Sequence, residues 1–456
     1  MRKITVIIIF FFIFSINISP VISGYVEWSA ATVFSSESSS DAYRQCVAID
    51  KNDVFHVAWK DKSDIQSAGT DWDIFYKNLI KDTGWSPIEL VTGTEFNDSI
   101  CLSMAVDSNQ TVHIAWKEQT RFDRVSSDWD IFYTYKTIYN NWSNPTLISL
   151  NSDYVCSCPT IAVDEKDTVH LSWADTSPLL GSGTDSDIYY THKKINKDWN
   201  NIELVTDNSD NDTFDPFLTV DTEFNVHIVW YESISPTGKS DIIYKKKALD
   251  GEWMENEIVS TNCVDSSLDP SIVVDLKQNI HVVWNDNTHL FDNGADYDIF
   301  YRVKDPNNGW LPIELISATS RSNCKWPFIV IDKSNTVYVA WSDQTNYDDN
   351  GNDYDIVFTL KQDTKKPWEE IQIVSENSKE NSNWPRFAID SENGIHMTWW
   401  DETSTHWAIY YNHGKITNPS SNNRESSFLS ITSIIFIVAL AVICIMVKKR
   451  YYKFYK

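Results

Sequence analysis

The 456-residue sequence predicts an all-β body, a seven-bladed β-propeller closed by its own N-terminal strand, and one C-terminal transmembrane helix. Three observations lead there: a motif that returns seven times, an offset between that motif and the ends of the repeat array, and one uncharged apolar run near the C-terminus.

The motif reads apolar-x-apolar-Asp, a turn, then apolar-His-apolar-x-Trp, and its return at a near-constant period is the mark of a repeat architecture. Its Asp falls at 50, 107, 164, 221, 275, 332 and 390, and its Trp nine residues later at 59, 116, 173, 230, 284, 341 and 399. An acid follows each Trp by two residues: Asp61, Glu118, Asp175, Glu232, Asp286, Asp343 and Asp401. A third segment opens with Asp-Ile-aromatic, as at Asp73, Asp130, Asp187 and Asp298, and a fourth opens at a second Trp such as Trp85. The segments are short, alternate with period two and are rich in Val, Ile, Tyr, Phe and Trp, and clusters of Asn, Asp, Gly and Ser divide them, so they read as strands. Four strands in each 54 to 58 residues make the blade of a propeller.

The second Trp recurs at 85, 142, 199, 253, 310 and 368, always twenty-two residues before the next repeat Asp. Trp28 stands twenty-two before Asp50, while the last unit, ending near Tyr411, has no such Trp. The segment Trp28 to Phe34 is therefore the fourth strand of the seventh blade. Pairing it there closes the ring and removes the open strand edges that invite aggregation.

Residues 1–23 have the basic start and short apolar core of a secretory signal. Residues 24–417 form the predicted propeller ectodomain, 418–427 a stem, 428–447 an apolar span long enough to cross a bilayer, and 448–456 a basic tail. The positive flank Lys448, Lys449 and Arg450 orients the tail to the cytoplasm and the propeller to the outside. A sorting signal cut off after export fits the same tail. The exported part holds sixty-four acids against thirty-one Lys and Arg, a net charge of −33, which disfavours nucleic acid as a partner. Six cysteines lie in it, at 46, 101, 156, 158, 263 and 324, with Cys444 in the apolar span; six thiols allow fifteen pairings, and spacing does not choose among them.

His56, His113, His170, His227, His281 and His396 hold one repeat position, with Tyr338 in the remaining unit. Spread around a ring they do not converge on one ion, so their expected role is packing and hydrogen bonding. Two loops, around Asp292 and Asp296 and around Asp348 and Asp353, cluster oxygen ligands about a glycine and are calcium candidates, although their spacing is not that of an EF-hand. Asn97, Asn109, Asn141 and Asn211 lie in glycosylation sequons.

On these residues the repeat resembles that of the sialidase-like, Asp-box propellers, over nearly all of Trp28 to Tyr411. The boxes themselves are degraded: Asp305 to Trp310 and Asp363 to Trp368 keep the spacing but lack the family's Ser and Gly. The resemblance implies three arginines on a substrate carboxylate, a Tyr nucleophile assisted by a Glu, and an Asp acid. Arg44, after Tyr43, matches the first arginine's context and Asp71 is the natural acid. Arg302, Arg321 and Arg386 have no matching context, so no carboxylate clamp is expected. The expected function is a non-catalytic recognition module for an extracellular glycan or protein, with a sialidase-like glycoside hydrolase as the alternative. Trp326, Trp384, Trp400 and Trp407, outside the fixed repeat positions, are aromatic candidates for sugar contact.

Overall fold

The structure is a computed structural model and describes residues 25–417, apart from 94–97, 121–127, 151, 153–155, 184, 208, 210, 235–237, 250, 292–295, 348–350, 377 and 404. The predicted signal, stem, span and tail lie outside the described residues. Among the described residues no helix is long and apolar enough to cross a membrane. The chain divides into a body, Glu27–Lys415, and a unit made of its two ends. In the second unit the Thr417 hydroxyl donates to the Tyr25 carbonyl at 3.4 Å.

The body consists of seven antiparallel sheets. Their innermost strands are Ala42–Ile49, Ser99–Val106, Thr160–Val163, Thr213–Val220, Ser267–Val274, Cys324–Ile331 and Ser382–Ile389, and they define blades 1 to 7. Each contacts the next, and the last contacts the first, so the blades form a closed ring. Thr32–Val33 pairs with the third strand of blade 7, Trp407–Thr417, as the offset of Trp28 predicts. A side chain confirms the equivalence. Thr92, seven residues after Trp85, accepts a hydrogen bond from the Ile74 N–H at 3.1 Å, and Ser35, seven after Trp28, accepts one from the Ile409 N–H at 3.0 Å.

The motif residues are the blade's internal fastenings. All seven motif tryptophans are fully buried. Trp59, Trp116, Trp284 and Trp341 donate their indole N–H to the acid two residues on, at 3.0 to 3.3 Å, so the ring is buried without stranding its polar atom. The repeat Asp accepts two turn N–H groups, as Asp50 does from Asn52 and Val54. The repeat His shares a hydrogen bond with a third-strand tyrosine hydroxyl, from 2.6 Å for His56–Tyr76 to 2.9 Å for His396–Tyr411, and turns its other nitrogen to the repeat Asp. The second Trp joins blades. Glu257 of one blade accepts from Trp310 Nε1 at 2.8 Å and Lys304 Nζ at 2.5 Å of the next, and Glu314 does the same with Trp368 and Lys361.

Candidate functional site

The inner strands are not regular. Six of the seven pair normally for two residues, skip two, and resume, as between Tyr43 and Cys46 or between Asn383 and Arg386, while the blade 3 strand starts only after this point, at Thr160. This bulge places a left-handed residue at the break in six blades: Arg44, Cys101, Asp215, Asp269, Trp326 and Trp384, with φ between 46° and 60°. Cys158 holds the seventh position. All stand six residues before the repeat Asp. In blades 3 to 7 the following residue is Pro159, Pro216, Pro270, Pro327 or Pro385, which has no N–H to leave unpaired where the ladder breaks. A left-handed non-glycine residue costs about 1 kcal/mol or more, and strain repeated at one position points to a use for it. Here it turns one side chain per blade into the central channel.

Together these seven residues line a cavity of about 460 Å3. Its wall is divided by chemistry. Blades 6, 7 and 1 supply Trp326, Trp384, Arg386 and Arg44. Both guanidiniums lie over the Trp384 ring, Arg44 at 5.1 Å and Arg386 at 4.6 Å, within cation–π range. Gln45 fixes this platform by donating to the Trp384 carbonyl at 2.9 Å. Aromatic rings continue outward through Trp326–Trp384 at 5.5 Å, Trp326–Trp400 at 6.4 Å and Trp400–Trp407 at 4.3 Å. Next to them Lys60 lies over Tyr43 and Trp72 at 4.1 and 4.5 Å.

Blades 4 and 5 supply Asp215 and Asp269, and blades 2 and 3 are joined by a disulfide between Cys101 and Cys158, whose sulfurs face Arg44 Nη1 at 3.1 and 3.8 Å. The cavity side chains are accessible from the channel yet have protein on nearly every other side, so ions there are poorly solvated. Burial, with Asp215 adding to it, pushes the Asp269 carboxyl up to about 7, while Arg386, Lys325 and Arg44 oppose the shift. Burial likewise raises Asp215 and lowers Arg386 to about 9; burial and then the charge of Arg44 lower Lys60 to about 7. The Asn285 amide, with its nitrogen toward the strand, donates to Leu268 O at 2.8 Å and Asp269 Oδ2 at 3.0 Å.

The structure brings Arg44 and Arg386 together and thereby corrects the expectation that no arginines converge. They come from the first and last blades, which ring closure makes neighbours. Among the described residues neither forms an ion pair. Arg302 is consumed elsewhere, donating to Leu311 O, Val259 O and Thr261 Oγ1 at 2.7 to 2.8 Å, and Arg321 is exposed on a loop. Asp71 lies on the loop between the second and third strands of blade 1, folded over Gly69, and does not line the cavity.

Asp292 and Asp348 lie outside the described residues. Asp353 folds over Gly351 as Asp71 does over Gly69 and Asp185 over Gly183, with glycine φ between 111° and 125°, so this loop shares a turn with other blades. Asp296 is described, but the preceding residues 292–295 are not. Asn97 is outside the described residues and Asn141 is exposed. Asn109 and Asn211 donate side-chain hydrogen bonds to Asp167 and Glu232.

No protein-family model and no curated protein matches the chain. Solved structures do. An ulvan lyase bound to a GlcA(1-4)Rha3S unit superposes with a TM-score of 0.56 at 11% identity, covering 82% of this chain and 93% of that one. A protein of unknown function from Dyadobacter fermentans gives 0.51 at 10%, covering 86% and 99%, and another polysaccharide lyase gives 0.50 at 9%, covering 82% and 90%. The chain shares their fold. The resemblance to sialidase-like propellers read from the repeat holds for the architecture, and at such identities the likeness concerns fold alone.

Proposed function

We propose that this chain is an exported, membrane-anchored recognition module that binds a glycan carrying a carboxylate or sulfate at the mouth of its central channel. One observation supports this most: Arg44 and Arg386 lie over one indole in a concave site, with no carboxylate partner among the described residues, in a strongly acidic protein. A guanidinium offers a planar anion two parallel N–H donors, and an indole offers the apolar face of a sugar a surface to stack on. The ulvan lyase, whose ligand contains a uronic acid and a sulfated sugar, is an analogy of fold that agrees with this reading.

The test is calorimetry of the protein with paired oligosaccharides that differ only in the acidic group. The acidic member should bind and the neutral one should not, and Arg386→Met should remove the difference. Equal binding of both members would end the reading. Export and anchoring rest on residues 1–23 and 428–447, and protease shaving of intact cells checks them: the propeller should be released and the tail protected.

A second reading, cleavage of the bound glycan, draws on Asp269, whose carboxyl near 7 faces the arginines' side of the cavity and could act as a general acid or base. Product formation that disappears in Asp269→Asn would support it.

A further inference from the structure

At the other end of its inner strand, blade 7 combines two residues that no other blade combines, a glycine that opens a space and a histidine that faces it. Four residues after the repeat Asp, the other blades carry Val54, Thr111, Thr168, Asn225, Asn279 and Thr336, whereas blade 7 carries Gly394. Opposite the repeat histidine, where blade 1 has Asn78 and blade 2 Tyr135, blade 7 has His413. Blade 3 also has a histidine there, His192, but keeps Thr168, and His192 shares a hydrogen bond with Asn200. A Cβ at position 394 would come within 2.4 Å of Asp390 Oδ2 and 2.8 Å of His413 Nε2. The missing side chain is what allows these two atoms to face each other.

His396 completes the set. One ligand atom each from Asp390, His396 and His413 lies within 4.8 Å of the other two, and Asp390 Oδ2 is 3.4 Å from His396 Nε2. Four ligands at about 2.0 to 2.1 Å around a tetrahedral ion are about 3.3 Å apart, so that pair already spans the edge and His413 has at most about 1.5 Å to close. His396 Nδ1 is held by the Tyr411 hydroxyl at 2.9 Å, which leaves Nε2 to ligate and supplies the outer hydrogen bond that orients a metal-bound imidazole. The three residues border a cavity of about 370 Å3. Of its other charged lining groups, Lys81 pairs with Glu392 at 2.8 Å and Asp53 accepts from Ser391; Asp82 and Lys415 border it as well.

We propose that Asp390, His396 and His413 form a binding site for a divalent transition ion of the zinc type, with three protein ligands and a fourth position open to the cavity. Two imidazoles and one carboxylate are a donor set such an ion accepts. The ion would tie Gly394–Glu402 to its paired neighbour Trp407–Thr417, the strand on which the N-terminal segment closes the ring.

The test uses untagged full-length protein in detergent, stripped with a chelator and titrated with Co2+ as a coloured probe. We expect one equivalent to bind with the intense visible bands of four-coordinate cobalt, Zn2+ to bleach them, and Zn2+ to raise the unfolding temperature. Gly394→Thr restores the residue of blades 2, 3 and 6, and His413→Asn that of blade 1. Each should abolish both the bands and the zinc-dependent rise while the circular dichroism stays that of the wild type. Should Gly394→Thr fail to fold, His413→Asn, on a part-exposed side chain, carries the test. No uptake by the wild type, or uptake unchanged in His413→Asn, overturns the site.

Discussion

Tyr338 donates its hydroxyl to Asp332 Oδ2 at 2.8 Å, in the one blade where a tyrosine replaces the repeat histidine. The same blade has Phe358 where the others present the tyrosine hydroxyl that bonds the histidine. One hydroxyl has thus moved across the sheet, and the Asp that fastens the turn keeps its partner.

Tyr338→Phe should therefore remove the partner of a half-buried carboxylate oxygen and cost about 1 kcal/mol. The double variant Tyr338→His with Phe358→Tyr, which installs the arrangement of the other blades, should recover most of it. Urea unfolding of the two proteins measures this, and equal losses in both would contradict the exchange.

Trp384→Ala removes the ring beneath both guanidiniums, so affinity for the acidic oligosaccharide should fall about tenfold or more. Tyr139→Ala, which alters a residue 88% exposed, serves as the control and should leave the affinity unchanged.

Asp269 gives the site a pH dependence whose sign is fixed. Its folded pKa, about 7, lies above the unfolded value near 3.8, so the folded protein holds the proton more tightly and stability falls as pH rises from about 4 through 7. Asp269→Asn should melt with the wild type at pH ~4 and above it at pH ~8. Acidic-glycan binding should strengthen in the wild type as pH falls from ~8 to ~6, because a carboxylate facing the ligand is neutralised, and should be flatter in the variant. A melting difference of opposite sign would show that Asp269 is not held protonated.

Removal of residues 25–35 should expose the edge of Trp407–Thr417 and convert the protein to oligomers visible by light scattering. A monomer of unchanged stability would mean that the seam is held by the inner strands alone.

Strand count, blade count and the displaced fourth strand were legible because Asp, Trp and their spacing carry structural duties that only those side chains perform. The histidines were legible as fastenings for the same reason. The cavity was not, because the residues that line it, Arg44, Cys101, Cys158, Asp215, Asp269, Trp326 and Trp384, share an offset and no chemistry, so a search for recurring residue types passes over them. The constant distance to the repeat Asp and the proline that follows in five blades were the available signal. The meeting of Arg44 with Arg386 needed the ring itself, which sets the ends of the chain side by side. Likewise the pairing of Cys101 with Cys158 follows from their equivalent places on adjacent blades, which the fifteen possible pairings did not single out.

The bulge has a further effect on how such a protein can change. Because the backbone distortion is supplied by the blade and accommodates arginine, cysteine, aspartate and tryptophan alike, each channel position can be exchanged without renegotiating the core around Trp59 and its six counterparts. The mouth of the channel is a dial of seven settings, two of them, Cys101 and Cys158, coupled by their disulfide, and a new ligand is within reach of single-codon steps at the other five that leave the folding instructions untouched.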